Sequence, residues 1–225
     1  MSKQELFRRY VFFVVGLFVN SLGISFITKA NLGTSPISSI PYTLSLGFPL
    51  SLGMFTMIFS VLLMVIQLII LRKRFSKELW LQLPISVLFS AFIDLTMAML
   101  FFINPQTYGM QMVSLLVGCV ILGFGVFMEM AANVVMLPGE CTVRAISSTW
   151  NTDFGKTKIA VDVTMAVSAA VLGVALYWEI AGVREGSLIS ALLVGFLART
   201  FNRKIGEPVQ GLLRDRVEER ASVDC

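Results

Sequence analysis

Ala30-Asn31-Leu32-Gly33-Thr34-Ser35-Pro36 and Ala132-Asn133-Val134-Val135-Met136-Leu137-Pro138 close two long apolar runs in the same way. They stand 102 residues apart, Asn31 falling on Asn133. The same shift needs no gap from Gly16 to Val65. It places Gly16 on Gly118, Gly23 on Gly125, Ala30 on Ala132, Pro36 on Pro138 and Ser45 on Ser147. It also places Gly53 on Gly155, Val61 on Val163 and Val65 on Val167, which makes nine identities in 50 positions. Matched Gly, Asn and Pro are harder to obtain from shared hydrophobicity than matched Leu, so the chain reads as an internal repeat. A shift of 104 extends it, setting Ile85, Ser86, Leu88 and Phe92 on Ile189, Ser190, Leu192 and Phe196.

The segment after each proline is unusual. The stretches Ile37 to Leu46 and Gly139 to Ser148 are too short to cross about 30 Å of hydrocarbon. They are also too apolar, and too rich in Ser, Thr and Ile, for solvated loops. A short re-entrant helix is predicted in each. Pro36 and Pro138 suit the first helical position, where a missing N–H costs nothing. Ser35 suits the N-cap of the first; Leu137 has no side chain for that job.

The rest of the composition agrees with a membrane protein. Of 225 residues, 56% are hydrophobic and 14% charged, and the mean hydropathy is +0.81. A soluble domain carries about 25% charge. A disordered chain, a nucleic-acid-binding module and a secreted disulfide scaffold are excluded. There is no histidine, and Cys119, Cys141 and Cys225 show no CxxC spacing, so no metal site or cofactor is expected. No Walker A loop, GxSxG or hydrolase-type carboxylate pair is present, so no enzyme is expected.

Apolar spans are predicted near residues 10–29, 52–71, 80–103, 111–131, 159–178 and 186–202. They are continuously apolar, which favours helices over a β-barrel. The first follows Lys3, Arg8 and Arg9 like a signal peptide, but is too long and lacks a cleavage site. Three spans per repeat reverse the second copy. The expected fold is therefore an all-α membrane protein: six transmembrane helices as two inverted three-helix repeats, each with a short re-entrant helix. Repeat one covers residues 10–103 and repeat two 111–204, in a single transmembrane domain of residues 1–205. Residues 206–225 form a cytoplasmic tail. With the N-terminus inside, 16 of the 18 basic residues are cytoplasmic and only Lys29 and Arg184 lie outside. The positive-inside rule then puts both termini in the cytoplasm of a bacterial inner-membrane protein.

Ionisable groups at membrane depth cost at least about 2.5 kcal/mol on insertion scales and need a reason. Asp94, in span three, is expected either to bind a proton, cation or polar solute, or to cap the external short helix near Ser38. Glu140 and Cys141 begin the internal short helix, after Gly139, whose missing side chain admits close approach. Arg144, one turn on, is placed to pair with Glu140; Arg199 is placed to neutralise Glu140 or Asp162. Glu129 and Asp162 are read as snorkelling, and Gln67 as an interhelical hydrogen-bonder. Gly118, Gly123 and Gly125 on span four, with Gly16 and Gly23 on span one, suit a close contact between those spans. Asn31 and Asn133 are expected to close the first helix of each repeat, in the left-handed conformation Asn tolerates.

Gly23-Ile24-Ser25-Phe26, Lys29-Ala30-Asn31-Leu32-Gly33-Thr34-Ser35-Pro36, Phe92-Ile93-Asp94-Leu95 and Ile189 to Gly195 resemble the YczE/YyaS/YitT family of bacterial integral membrane proteins. The resemblance covers about residues 10 to 204. The chain departs from that pattern after Pro36, where an aromatic-acidic pair is common and Ile37 and Ser38 stand here. The resemblance implies a multi-helix membrane fold and suggests transport.

The expected function is a transporter or channel for a small polar, anionic solute. The alternative is a non-transporting scaffold or regulator of a partner enzyme or complex. The expected partners are the lipid bilayer and the solute, not nucleic acid, with a homodimer left open. The expected site is a cavity between the two short-helix N-termini. Asn31, Ser35, Pro36, Ser38, Tyr42 and Asp94 would serve its outer side, and Asn133, Pro138, Gly139, Glu140, Cys141, Arg144 and Arg199 its inner side.

Overall fold

The computed structural model describes residues 3–72, 77–178 and 182–213. The described residues form an all-α protein of eight α-helices. These are α1 (Lys3–Lys29), α2 (Pro36–Ser45), α3 (Leu52–Leu71), α4 (Gln82–Met99), α5 (Tyr108–Ala132), α6 (Pro138–Trp150), α7 (Phe154–Tyr177) and α8 (Glu185–Leu213), with a 3-10 helix at Lys77–Leu81. Among the described residues, five segments are long and apolar enough to cross a membrane: Lys3–Lys29, Leu52–Leu71, Leu79–Met99, Tyr108–Ala132 and Phe154–Tyr177. The sequence predicts six. α8 has the length, at 29 residues, but Ser187, Ser190, Arg199, Thr200 and Asn202 dilute its apolar run. It also continues through Pro208 to Leu213 without a break; residues 214–225 of the expected tail lie outside the described residues.

The two short helices begin where the prolines predict. Pro36 opens α2 and Pro138 opens α6. The residues before them, Ser35 (φ −63°, ψ 147°) and Leu137 (φ −62°, ψ 152°), are extended, as the clash with a following proline ring demands. Asn31 (φ 56°) and Asn133 (φ 49°) adopt the left-handed conformation. Asn133 is the C-cap of α5.

α1 and α5 form the closest seam, and glycine makes it. A Cβ at Gly23 would stand 2.5 Å from the Leu122 backbone nitrogen, and one at Gly125 the same 2.5 Å from that of Asn20. At Gly16 it would meet Met128 Cβ at 2.8 Å, and at Gly118 Ile27 Cγ1 at 2.7 Å. Real Cβ atoms do not come so near, so only glycine allows the backbones this approach. Partners fall from Met128 to Leu122 as numbers rise from Gly16 to Gly23, so the helices run antiparallel. Gly123 leaves the expected stripe and faces α8, with Leu197 Cβ at 2.8 Å. Phe13, Leu17, Ile24, Ile27, Leu115 and Leu122 fill the seam, joined by Phe89 and Ile93 of α4. In a bilayer such close packing, not transfer from water, holds helices together.

Around this pair α4 lies on α1 and α8 on α5. Each short helix packs across the molecule, α2 on α7 and α6 on α3, as well as on its own neighbour. α3 also packs on α4, whereas α7 and α8 have no comparable contact. α7 accordingly buries only Thr157, Ala169 and Gly173. The loop between α1 and α2 is gripped by the start of α8. Gly186 N donates to Leu32 O at 2.9 Å, Thr34 N to Ser187 Oγ at 3.1 Å and Arg184 to Asn31 O at 3.2 Å. At the other end, Arg9 donates to Ala132 O at 3.2 Å while paired with Glu5 at 2.9 Å. Arg9 thus satisfies a carbonyl that the end of α5 leaves open, while Arg184 holds the turn that follows α1.

Candidate functional site

The N-termini of α2 and α6 meet inside the molecule. A Cβ on Gly139 would stand 3.1 Å from Ile37 Cδ1, so the first turns touch. Ser35, Pro36, Ile37 and Ser38 from one side, and Leu137, Pro138, Gly139 and Glu140 from the other, line one central cavity of about 170 Å³. Most of its remaining wall is hydrocarbon, from Phe59 and Leu63 of α3, Phe89 of α4, and Leu122 and Val126 of α5. Lys158 and Asp162 of α7 also reach it, paired with each other at 3.3 Å.

A second, wider cleft of about 640 Å³ opens between the start of α1, the end of α5 and α6. Tyr10, Glu129, Asn133, Met136, Cys141 and Arg144 are among its lining. Glu140 lines both spaces. It makes no hydrogen bond or ion pair among the described residues, unlike the other carboxylates near it. Asn20 and Glu129 stand between the same spaces: Asn20 lines the cavity, Glu129 the cleft, and the amide donates to the carboxylate at 2.7 Å. Glu129 is buried. The snorkelling expected of it does not occur, and its place in this partition is the largest omission of the sequence reading. The signal available was an acid within an apolar run, which is costly wherever it is not paired.

The position of α6 is held by amides. Gln67 Nε2 donates to Pro138 O at 3.0 Å and to Thr142 Oγ1 at 3.1 Å. Gln67 and Gln82 exchange amide hydrogen bonds at 3.4 and 3.2 Å. Both are fully buried, so every amide group needs a partner, and each finds one. Gln67 thus makes the interhelical bond expected of it.

Several candidates lie elsewhere. The Asp94 carboxylate accepts from Ser51 Oγ at 2.7 Å and Gly53 N at 2.8 Å. It caps α3, not the short helix, and lines neither space. Ser90 Oγ completes the clasp by donating to Gly53 O at 2.6 Å. Tyr42 packs into the core away from the cavity. Arg199 is exposed and meets neither Glu140 nor Asp162; Lys158 takes the latter. Arg144 lies against Met136 Sδ at 3.6 Å, not on Glu140. Cys141 donates to Met136 O at 3.6 Å. Ser35 occupies the N-cap position, yet its hydroxyl bonds Ser38 Oγ at 3.1 Å and makes no cap bond. Asn31 lines neither space, while Asn133 lines the cleft.

With five helices of spanning length and apolarity, the chain reads as a multi-pass membrane protein. Residues 7–203 match the family of unknown function DUF6198, and the chain belongs to that family. It is similar to the uncharacterized membrane protein YczE of Bacillus subtilis (strain 168), with 25% identity over 203 residues, 88% of this chain and 86% of YczE. It is similar also to the uncharacterized protein YyaS of the same organism, with 27% identity over 197 residues, 86% of this chain and 92% of YyaS. The resemblance carried by Gly23 to Pro36 thus extends over nearly the whole chain. No solved structure matches.

Proposed function

We propose that this DUF6198 chain is a bacterial inner-membrane transporter for a small solute with an anionic group, built from two inverted three-helix repeats. The observation that carries this reading is the meeting of two proline-started helix ends at one cavity, with an unpaired carboxylate, Glu140, between that cavity and a wide cleft. Helix N-termini present free N–H groups and a partial positive charge of about half an electron each. Non-helical backbone at membrane depth is tolerated where it is buried or lines a cavity, which supports α2 and α6 as re-entrant helices.

The inverted repeat draws support from the contacts themselves. Shifting by 102 turns Gly23 against Leu122 into Gly125 against Asn20, and Gly16 against Met128 into Gly118 against Phe26. Ile37 maps onto Gly139, and these two touch. The crossed packing of α2 on α7 becomes that of α6 on α3. Such exchange is what a two-fold axis through the middle of the molecule produces, the arrangement of many secondary transporters. On this reading α8 is the sixth span. The cleft then opens to the cytoplasm with both termini, since Arg8, Arg9 and Arg144 stand at that end.

The test is release from vesicles. Proteoliposomes loaded with a mixture of small carboxylates and amino acids are diluted, and the external medium is read by mass spectrometry. Wild type should release at least one solute faster than protein-free vesicles, and Glu140→Gln should change that rate about tenfold. Absence of any release by folded protein would falsify the reading. The scaffold alternative is favoured by the small, largely apolar central cavity. It predicts a partner co-purifying at fixed stoichiometry with no release.

A further inference from the structure

The central cavity is not simply an anion site. Its body is hydrocarbon: Phe59, Leu63, Phe89, Leu122, Val126 and Val194. A free inorganic anion there would lose hydration without enough donors to replace it. Polar groups are scattered on that wall (Asn20, Thr56, Ser60, Ser190 and the Lys158–Asp162 pair) and also stand where the two helix ends touch, and those ends differ. The first turn of α6 carries Glu140; that of α2 has no acidic residue, and its N-cap side chain makes no bond to the backbone. Glu140 therefore offsets part of the charge at the α6 end, while the α2 end carries no counter-charge, although Pro36 has no N–H and Ser38 N donates to Ser35 O at 2.9 Å. Beside it the half-buried Glu140 carboxylate makes no hydrogen bond or ion pair among the described residues and has room for a cation. Lys158 attracts this carboxylate from α7, but only as a shared charge, because Asp162 holds that ammonium at 3.3 Å. A carboxylate without a hydrogen-bond donor and a helix end without a counter-charge thus lie side by side, joined through the Ile37–Gly139 contact.

We infer that the cavity binds a zwitterion with an apolar body, the chemistry of an α-amino acid bearing a branched aliphatic side chain. This rests on the transport reading and deepens it. The ligand carboxylate sits at the start of α2 near the Ser35 and Ser38 hydroxyls. Its ammonium faces Glu140, and its side chain enters the hydrocarbon wall. One carbon separates the two charges of an α-amino acid, which suits two sites in adjoining turns. The size agrees as well. An engineered cavity of about 150 Å³ lined by Leu, Ile and Phe admits benzene, and this one is about 170 Å³.

The experiment is equilibrium binding of tritiated L-leucine to the full chain in nanodiscs. Competition uses 4-methylpentanoate, which lacks the ammonium, and 3-methylbutylamine, which lacks the carboxylate. Leucine should bind saturably and displace label at least about tenfold better than either analogue, since each lost charge leaves a buried partner unmatched. In Glu140→Gln, leucine should fall to the level of 4-methylpentanoate, while 4-methylpentanoate itself changes by less than about twofold. The comparison of the three ligands on wild type stands even if the variant fails to fold. No saturable leucine binding, analogues as good as leucine, or a folded Glu140→Gln that still prefers leucine would each overturn the assignment. Release of another solute without leucine binding would sink this inference and leave transport standing. Leucine binding without any release would do the reverse.

Discussion

Replacing Gly23 or Gly125 by Ala should destabilise the protein by about the same amount, because each glycine faces backbone at the same distance. The added Cβ would stand 2.5 Å from a backbone nitrogen in both cases, and 2.6 or 2.7 Å from the adjoining Cα. Ordinary carbon contacts lie near 3.5–4.0 Å, so α1 and α5 must part by roughly 1 Å. A gap of that size forfeits about a quarter to a half of each contact along the seam. Overpacking of this kind costs about 1–3 kcal/mol. The intrinsic gain of Ala over Gly in a helix, about 1 kcal/mol, offsets part of it. The expected net loss is about 1 kcal/mol for each variant, and at most about 2. Gly195→Ala is the control: a Cβ there meets nothing within 4 Å, so it should be neutral or gain up to about 1 kcal/mol. Unfolding midpoints in mixed micelles of dodecyl maltoside and SDS measure all three. Gly23→Ala and Gly125→Ala as stable as wild type would refute the seam. A large loss in one and none in the other would refute the exchange symmetry of its two ends.

Asp94→Asn should cost about 1 kcal/mol through the weakened cap on α3 and leave solute release unchanged; parallel unfolding and vesicle assays decide whether Asp94 is a cap or a site. Gln67→Ala removes the donor to Pro138 and strands the buried Gln82 amide, so it should cost about 1–3 kcal/mol and slow release by misplacing the start of α6. Asn31→Val and Asn133→Val should each cost about 1–3 kcal/mol, since a β-branched residue is strained in the left-handed region. The Gly substitutions at these two positions should cost only a few tenths of a kcal/mol, and circular dichroism melts separate the two pairs.

The local devices were legible in the sequence. Pro36 and Pro138 fix φ and start helices, Asn31 and Asn133 end them, and Gly16, Gly23, Gly118 and Gly125 mark a close backbone approach, all for reasons contained in a few residues. What failed depended on the phase of a helix against a distant neighbour. Asp94 finds Ser51 and Gly53 because α4 turns that face toward the start of α3. An acid between Ile93 and Leu95 gives no hint of that orientation. Glu129 could reach outward along its helix or turn inward; Asn20, far off in sequence, decides it. Gly123 lies only two residues from Gly125, a rotation of about 200°, and so faces a different helix. Arg199 has the length to reach several acids, and only Lys158, one turn from Asp162 on its own helix, gets there.

The crossed packing of the short helices bears on how such a chain could be assembled. α2 packs on α7 and α6 on α3, so either half, cut between α4 and α5, would leave its short helix covered only by its own neighbour. The two fragments would need each other, and on the inverted arrangement proposed above, with α1 and α5 antiparallel, they would thread the bilayer in opposite senses. Co-expressed as separate polypeptides, a pair inserted in the same sense would leave both short helices without the partner half of their groove. Only a pair inserted head against tail could knit. On that arrangement the covalent link between the halves does more than raise their local concentration: it dictates the opposed insertion on which the central space depends.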